Sequence, residues 1–272
     1  RRQSINTRSK MNLSETTIND LADQLHQAGK NASQIPPITE LVPSITVEEA
    51  YQVQLRTVTK RLTDGESIVG KKIGITAKVV MNMLGVDQPD FGHLTSGMEF
   101  KDSQKLPFKN FCQPKGEGEI AFLLKKDLSG PGITRDQVIQ ATECVMPAFE
   151  IVDSRIKDWN IKIQDTIADN ASSGAFVLGS SKKSPNGIDL ATCGMVLKKN
   201  GDIIGTGAGA ATLDHPLNAV AWLANMLGSL GMSLKAGEII LSGSLSIMFP
   251  IESGDTLEME IGGIGKAMCQ FD

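Results

Sequence analysis

Two glutamates, separated by one residue and followed by an apolar strand, are the side chains of this sequence best suited to chemistry. Glu117 and Glu119 precede residues 120–124, which are all apolar. Side chains alternate between the faces of a strand, so both carboxylates are expected on one face, turned toward an interior. Anions in such a place stay charged only beside cations, a shared proton or a metal ion. Oxygen ligands of this kind favour Mg²⁺, Mn²⁺ or Ca²⁺ over zinc.

A third carboxylate lies in a downstream segment of similar character. Glu150 is embedded among β-forming residues in the segment 147–155. A bare Glu-x-Glu pair is usually an ordinary solvated strand edge, and the third carboxylate is what favours a metal site. Three carboxylates from two strands, with water or substrate in the remaining positions, suit an octahedral hard cation that is open for catalysis.

Composition restricts the class of protein. The chain has 272 residues, of which 40% are hydrophobic, enough for one large domain or one domain with a small appendage. No apolar run approaches the length of a membrane span, and the N-terminus lacks the hydrophobic region of a secretion signal. Four cysteines without CxxC spacing indicate reduced thiols. We therefore predict a soluble, cytoplasmic protein.

The charge pattern argues against nucleic acid as a partner. The formal net charge is −4, and the basic residues are not gathered into a stripe with interleaved aromatic residues. The segment 205–210 formally fits G-x-G-x-x-A. It follows a predicted hairpin and has no acidic residue about 20 positions further on, so we do not interpret it as a dinucleotide site.

The first quarter of the sequence reads as helical. Residues 1–10 carry four basic and no acidic residues, which suggests a leader or a cloning remnant before a natural start at Met11. Ser14 is a candidate cap for an amphipathic helix, and Thr46 opens a capping box for a second helix. We therefore expect a helical portion over residues 11–66.

The remainder, residues 67–272, reads as one β-rich catalytic domain. Asn200-Gly201 predicts a tight hairpin. Polar and apolar residues alternate along residues 256–261, which predicts a strand. Helices are expected near residues 134–142 and from Asp214 or His215, where Pro216 occupies the first turn.

Six segments carry motifs that together form a recognisable pattern: 70–76, 83–92, 117–119, 150–155, 169–172 and 241–244. In these segments, and in their order, the chain resembles the fumarylacetoacetate hydrolase superfamily. Within it, the chain resembles the 2-oxopent-4-enoate (2-hydroxypenta-2,4-dienoate) hydratases of aromatic meta-cleavage pathways. The resemblance implies an α+β fold in which a β-rich, mixed rolled sheet of the fumarylacetoacetate hydrolase C-terminal type encloses the site, beside an N-terminal helical portion.

The resemblance also implies roles for particular residues. Glu117, Glu119 and Glu150 are expected to bind Mg²⁺ or Mn²⁺, and Lys72 is expected to bind a developing enolate oxygen or to move a proton. From pattern alone, a solvated lysine is favoured at both Lys71 and Lys72, and the resemblance reverses this for Lys72 only.

Other polar residues receive supporting roles. Asp90 is expected to orient Lys72 or to handle the proton of water, although Pro-Asp is also ordinary turn chemistry. Small polar side chains of two segments suit a substrate carboxylate: Ser172, Ser244 and, less strongly, Asn170.

Three charged or titratable residues are expected near the site without binding the metal. Asp153 and Arg155 are expected to form a charge-assisted pair that braces the strand of Glu150. His93, close to Asp90 in sequence, is a minor candidate for proton transfer.

The function implied is a divalent-metal-dependent hydratase that adds water to 2-hydroxypenta-2,4-dienoate and forms 4-hydroxy-2-oxopentanoate. A 4-oxalocrotonate-type decarboxylase is the nearest alternative, since the same chelate stabilises the same dienolate. C–C bond hydrolases of the superfamily use a His–Glu pair that the sequence does not place. A non-catalytic assembly subunit is the alternative from another class.

Two kinds of partner are expected. The chain is expected to form a homo-oligomer, and a 4-oxalocrotonate decarboxylase is a candidate partner in a complex.

Overall fold

A computed structural model of the chain describes residues 12–272, and the predictions for residues 1–10 and for Met11 lie outside the described residues. The helices are α1 (Glu15–Lys30), α2 (Ile38–Leu41), α3 (Val47–Thr63), α4 (Lys78–Leu84), α5 (Arg135–Ala141), α6 (Ile163–Ala168) and α7 (Pro216–Ser229). The strands are β1 (Ile68–Gly74), β2 (Asp90–Thr95), β3 (Glu99–Lys101), β4 (Lys105–Leu106), β5 (Pro114–Leu124), β6 (Thr142–Asp153), β7 (Ser173–Leu178), β8 (Gly194–Lys199), β9 (Asp202–Ala208), β10 (Ile239–Ser244), β11 (Phe249–Pro250), β12 (Thr256–Ile261) and β13 (Gly265–Phe271).

The first helices begin where their capping residues predict. The Ser14 side chain accepts a hydrogen bond from the backbone N–H of Thr17 at the start of α1. Thr46 and Glu49 form a reciprocal capping box at the start of α3, which satisfies donors that a helix leaves without partners. Helix α3 ends at Thr63, and the first strand, β1, begins at Ile68.

The strands of residues 12–272 form two sheets. The larger sheet has the order β2-β1-β10-β5-β6-β7-β3, with β11 paired to β5. The smaller sheet has the order β4-β13-β12-β8-β9, and Asn200 and Gly201 join β8 to β9 as a hairpin. Helices and a mixed sheet together confirm the predicted α+β class.

The larger sheet is buried on both faces, which explains the unbroken apolar run in β5. Phe122 and its neighbours on one face share a core with Leu21 of α1 and Leu223 of α7. Ala121, on the other face, packs with Met146 and Leu241 in a second buried cluster.

The sheet is rolled so that its two sides meet. The turn Asn170–Ser172 leads directly into β7, and the Asn170 side chain hydrogen-bonds the backbone of His93 in β2. Strands near opposite ends of the sheet order are therefore joined by this turn. In the described part of the chain, no helix has the length and apolar character needed to cross a membrane.

Candidate active site

Three carboxylates lie together on the inner face of the rolled sheet. Glu117 stands directly opposite Glu150 in the antiparallel pairing of β5 with β6, and Glu119 follows two residues later on the same face. One oxygen of each lies within 4.8 Å of the others. Glu119 and Glu150 are buried and Glu117 is partly exposed, so the cluster is accessible from the Glu117 side.

The glycine between the two glutamates of β5 has a packing reason. A Cβ on Gly118 would collide with Met195 of the smaller sheet and approach Met259. The smaller sheet therefore packs closely against the outer face of β5, while Glu117 and Glu119 face inward.

The oxygens of this cluster suit a hard divalent cation. Within the described residues, Glu119 Oε1 and both carboxylate oxygens of Glu150 are buried without a hydrogen-bond partner. Buried anionic oxygens without partners are costly. Three carboxylates that converge on one point are the ligand set that Mg²⁺ or Mn²⁺ accepts, with positions left for water or substrate. The residues present therefore fit the expected metal.

A backbone N–H orients one of the three carboxylates. The Gly243 N–H donates to Glu119 Oε2 over 2.9 Å, which leaves Oε1 directed at the cluster. Gly243 has a φ of +117°, a conformation that favours glycine. The segment 241–244, predicted to hold substrate, thus also positions a candidate metal ligand.

Crowding raises the pKa of the carboxyl groups in the metal-free protein. Burial, and then the charge of Glu150, raise the pKa of Glu117 to about 7. Burial and the other two carboxylates also raise the pKa of Glu119 well above its usual range. A divalent cation would favour the ionised forms and release protons.

Lys72 points into the cluster from β1. Its Nζ lies 3.1 Å from Glu150 Oε1 and donates a hydrogen bond to the Ala171 carbonyl oxygen over 2.8 Å. Burial alone would lower the pKa of Lys72, but the charges of Glu150 and Asp90 outweigh it and raise the pKa. The side chain is therefore a buried ammonium group.

Asp90 lies beside Lys72 at the start of β2. It pairs with Gly74 of β1, and a Cβ on that glycine would collide with Asp90 Oδ1 and contact Lys72 Nζ. Asp90 Oδ1 is buried without a hydrogen-bond partner within residues 12–272. Burial raises the pKa of Asp90 to about 6, with Lys72 acting in the opposite direction. Such a group is suited to proton transfer near neutral pH.

Lys71 is buried, so the expectation of a solvated lysine is wrong for this residue. It points to the outer face, where its Nζ lies 2.6 Å from Glu238 Oε1. Sequence pattern misses this ion pair because the partners are far apart in the chain.

His93 also lies away from the cluster. It pairs with Lys71 across β1 and β2 and so shares the outer face. Its Nδ1 is 3.0 Å from Gln54 Oε1, and burial, then Lys71, lower the pKa of His93 to about 4. The suggested role in proton transfer is wrong, because alternation along β2 places His93 opposite to Asp90.

The predicted pair between the side chains of Asp153 and Arg155 is also wrong. The Arg155 guanidinium lies 2.6 Å from the Asp169 carboxylate, and it reaches Asp153 only at the backbone carbonyl oxygen. The Asp153 carboxylate instead accepts the N–H groups of Cys112 and Gln113. Arg155 therefore braces the turn that follows Asp169.

The predicted substrate-binding residues lie in three different environments. Ser172 is buried, with its Oγ 3.1 Å from Thr166 Oγ1. Ser244 is part-buried, and its Oγ donates to the Ser246 carbonyl oxygen over 2.6 Å. The Asn170 carboxamide is bonded to the backbone of His93 at both its oxygen and its nitrogen.

Sequence reasoning missed the contributions of Tyr51, Ala171 and Gly243. Tyr51 of α3 stacks on Phe91 with ring centroids 4.6 Å apart, and burial, then Asp90, raise the pKa of its hydroxyl. Its sequence position indicates only a buried helix face. Ala171 acts through its carbonyl oxygen, for which residue type gives no signal. The glycine at position 243 indicates flexible backbone, but not the hydrogen bond that its N–H donates to Glu119.

Comparisons with known proteins identify the family to which this rolled sheet and its carboxylate cluster belong. The model of the fumarylacetoacetate (FAA) hydrolase C-terminal family matches residues 76–272. The chain belongs to this family.

Two relatives and one solved structure are similar over most of the chain. The 2-hydroxyhexa-2,4-dienoate hydratase of Comamonas testosteroni is 51% identical over 256 residues, covering 93% of this chain and 97% of the relative. The 2-hydroxypent-2,4-dienoate hydratase of Pseudomonas putida is 54% identical over 222 residues, covering 81% of this chain and all of the relative. The 4-oxalocrotonate decarboxylase from Pseudomonas putida G7, complexed with magnesium and adipate, has a TM-score of 0.94 at 34% identity, covering 97% of this chain and all of that chain.

Proposed function

We propose that the protein is a divalent-metal-dependent hydratase that converts 2-hydroxypenta-2,4-dienoate and water into 4-hydroxy-2-oxopentanoate. The observation that carries this proposal is the buried carboxylate cluster with Lys72 and Asp90 beside it. The two relatives named as dienoate hydratases support the substrate class. Such a reaction belongs to the catabolism of aromatic compounds by meta-cleavage.

The proposed cofactor is Mg²⁺ or Mn²⁺, held by Glu117, Glu119 and Glu150. Magnesium in the structurally similar decarboxylase supports a hard divalent cation at this site. When bound, the cation supplies Lewis acidity to the carboxylate and C2 oxygen of the substrate, which favours the dienolate and makes C4 electrophilic once C5 is protonated.

The side chains around the cluster have separate proposed tasks. Lys72 donates to the developing enolate oxygen or moves a proton, because its ammonium is buried next to Glu150. Asp90 accepts a proton from the water that adds at C4, and its raised pKa of about 6 suits a base near neutral pH. Ser172 and Ser244 hold the substrate carboxylate.

The proposed chemistry is balanced without a further reactant. The proton of the 2-hydroxyl group leaves and C5 is protonated, which gives a conjugated 2-oxo-3-enoate. Hydroxide from water then bonds to C4 while a proton is added at C3. The sum is the addition of one water molecule.

A 4-oxalocrotonate decarboxylase is the second candidate, favoured by the TM-score of 0.94 to such an enzyme. Identities of 51% and 54% to named hydratases, against 34% to the decarboxylase, favour hydration. The retention of all three carboxylates of the cluster argues against a non-catalytic assembly subunit. We further propose that the protein is a cytoplasmic homo-oligomer that forms a complex with a 4-oxalocrotonate decarboxylase.

A comparison of two substrates tests the proposal. The Mg²⁺- or Mn²⁺-loaded protein should consume the ultraviolet absorbance of 2-hydroxypenta-2,4-dienoate, stop with chelator and recover with added metal. It should release little CO₂ from 2-oxohex-3-enedioate. Rapid CO₂ release without hydration would assign the protein to the decarboxylases, and metal binding without either reaction would favour the assembly role.

A further inference from the structure

The turn Asn170–Ser172 holds three consecutive residues in an unfavourable backbone conformation. Asn170, Ala171 and Ser172 have φ angles of 55°, 51° and 56°. The left-handed region is disfavoured for L-residues, and consecutive left-handed residues other than glycine are rare. Such strain persists only where surrounding contacts enforce it, and it is concentrated at functional sites.

Asn170 fixes the start of this turn to β2. Its Oδ1 accepts the His93 N–H over 2.8 Å, and its Nδ2 donates to the His93 carbonyl oxygen over 2.8 Å. A Cβ on Gly92 would collide with the Asn170 carbonyl oxygen, so the glycine permits this close approach. The Ser173 hydroxyl donates to that same carbonyl oxygen over 2.7 Å.

Arg155 fixes the turn from the other side. Its Nε and backbone N–H bond the two carboxylate oxygens of Asp169, over 2.6 and 2.8 Å. Its guanidinium also donates to the carbonyl oxygens of Asp169 and Ser173, each over 2.8 Å. The residues before and after the turn are thus held by one buried side chain.

The strained turn presents one backbone atom to the proposed active site. The Ala171 carbonyl oxygen accepts a hydrogen bond from Lys72 Nζ over 2.8 Å, and Glu150 Oε1 lies 3.1 Å from the same nitrogen. An ammonium group has three N–H donors. One donor is held by Ala171, and the ammonium also forms an ion pair with Glu150, so N–H donors remain for a substrate oxygen.

We propose that Asn170 is a positioning residue of the active site, which keeps Lys72 in its reactive orientation by holding the Ala171 carbonyl oxygen in the strained turn. The inference rests on the proposed function, in which Lys72 acts on the substrate. It gives Asn170 a different role from the predicted contact with the substrate carboxylate. The carboxamide acts through the backbone and never touches substrate.

Asn170→Ala tests this role, with Asn225→Ala as a matched control. Asn225 holds the backbone N–H and carbonyl oxygen of Ile133 over 2.7 and 3.1 Å, in the same manner but in the loop before α5. Asn170→Ala should lower kcat for hydration by roughly 10- to 100-fold, since small misplacements of reacting groups cost this much. KM and the Kd for Mg²⁺ should change by less than about 3-fold. Asn225→Ala should retain kcat at a comparable loss of melting temperature.

The reactivity of Lys72 provides a second measurement that needs no turnover. Lys72 in the Mg²⁺-loaded protein should resist acetylation by acetic anhydride, followed by peptide mass spectrometry with the exposed Lys266 as the reference. Asn170→Ala should increase acetylation at Lys72 and leave that at Lys266 unchanged. This measurement decides the positioning role even if the wild-type protein does not hydrate the dienoate.

Three outcomes would overturn the proposal. They are a retained kcat with a protected Lys72, a lowered kcat with a protected Lys72, and a raised KM at unchanged kcat, which would indicate direct substrate contact. If Asn170→Ala does not fold, Ser173→Ala removes the hydroxyl that holds the Asn170 carbonyl oxygen, and the same measurements on that variant decide.

Discussion

Glu117 and Glu150 face each other directly across the antiparallel pair β5 and β6. Like charges directly opposite each other destabilise a sheet, and here both strands are buried on the outer face as well. Two carboxylates that stay ionised in this arrangement need a positive charge nearby. Lys72 supplies one charge, and a divalent cation at the cluster would supply the remainder.

Glu119→Gln should abolish metal-dependent activity while the circular dichroism spectrum stays unchanged. The amide keeps the hydrogen bond from Gly243 but removes the negative charge that a hard cation requires. In the metal-free protein the melting temperature should rise at pH values where Glu119 is ionised, because the substitution then removes one of three crowded anions. Calorimetric titration with Mg²⁺ and thermal denaturation check both effects.

Glu258 is exposed, so Glu258→Gln is the control for Glu119→Gln. It should retain the metal affinity, activity and melting temperature of the wild type. Metal binding by Glu119→Gln with wild-type affinity would contradict the assignment of Glu119 as a ligand.

Stabilisation by Mg²⁺ should increase with pH. The pKa of Glu117 is raised to about 7 in the folded, metal-free protein, above its ordinary value, and that of Glu119 is raised in the same direction. The stability linked to their protonation is complete below pH about 4.5 and is lost as pH rises through the folded-state values. The metal-free protein should therefore lose stability between about pH 5 and 8, and the cation should restore it.

Thermal denaturation with and without saturating Mg²⁺ at pH 5.5, 7 and 8.5 measures this effect. The difference in melting temperature should be largest at pH 8.5, and binding at pH 6 to 7 should release protons into the buffer. A difference that is independent of pH would show that the carboxylates are already ionised without metal.

Lys72→Met should lower kcat by roughly 10²–10⁴-fold, the range for loss of a positioned acid, base or electrostatic group. Lys71→Met should lower the free energy of unfolding and leave kcat largely unchanged, because it leaves Glu238 buried without its cation. Breaking a buried pair costs about 3–5 kcal/mol. Steady-state kinetics and urea denaturation of both variants separate the two effects.

The double variant Lys71→Met, Glu238→Leu tests the reason given for Lys71. Removal of both charges should recover much of the stability that the single variant loses. Equal losses of kcat at normal stability in Lys71→Met and Lys72→Met would refute the different assignments of the two lysines.

Some features of the site could be predicted from sequence because they depend on local periodicity. The common orientation of Glu117 and Glu119 follows from strand alternation alone. Their encounter with Glu150 depends on a register between β5 and β6 that no local pattern specifies. The sequence offered Glu150 only as a candidate third carboxylate, and the resemblance gave the three residues a common role.

Other features depend on contacts between distant residues. The partner of Lys71 lies 167 positions away in sequence, and the partner of Arg155 lies 14 positions further on, directly after α6. The acceptor of Lys72 is a backbone oxygen, whose direction is set by a strained turn and not by the type of residue at Ala171. Local patterns therefore predicted the elements and several inward-facing residues, but not the pairs between them.

Asp90→Asn should lower kcat by roughly 10²–10³-fold, since the proposed base for water is removed. The Kd for Mg²⁺ should change by less than about 3-fold, because Asp90 lies outside the carboxylate cluster. The pKa of Asp90 is raised to about 6 without metal, and a nearby cation lowers it. Wild-type kcat should therefore fall with acid at or below about pH 6, and this decline should be missing in Asp90→Asn. A shared acid limb would assign the titration to another group.

Hydration in D₂O should place deuterium at two defined carbons of 4-hydroxy-2-oxopentanoate. Protonation at C5 forms the product methyl group, and protonation at C3 completes the addition of water, so both positions take a deuteron from solvent. The C4 hydrogen derives from substrate and should remain protium. Proton NMR of product quenched early, before slow exchange at C3 next to the ketone, measures the pattern. A control incubation of unlabelled product with enzyme in D₂O corrects for that exchange. A methyl group without deuterium would exclude protonation at C5 and, with it, the proposed order of proton transfer before water addition.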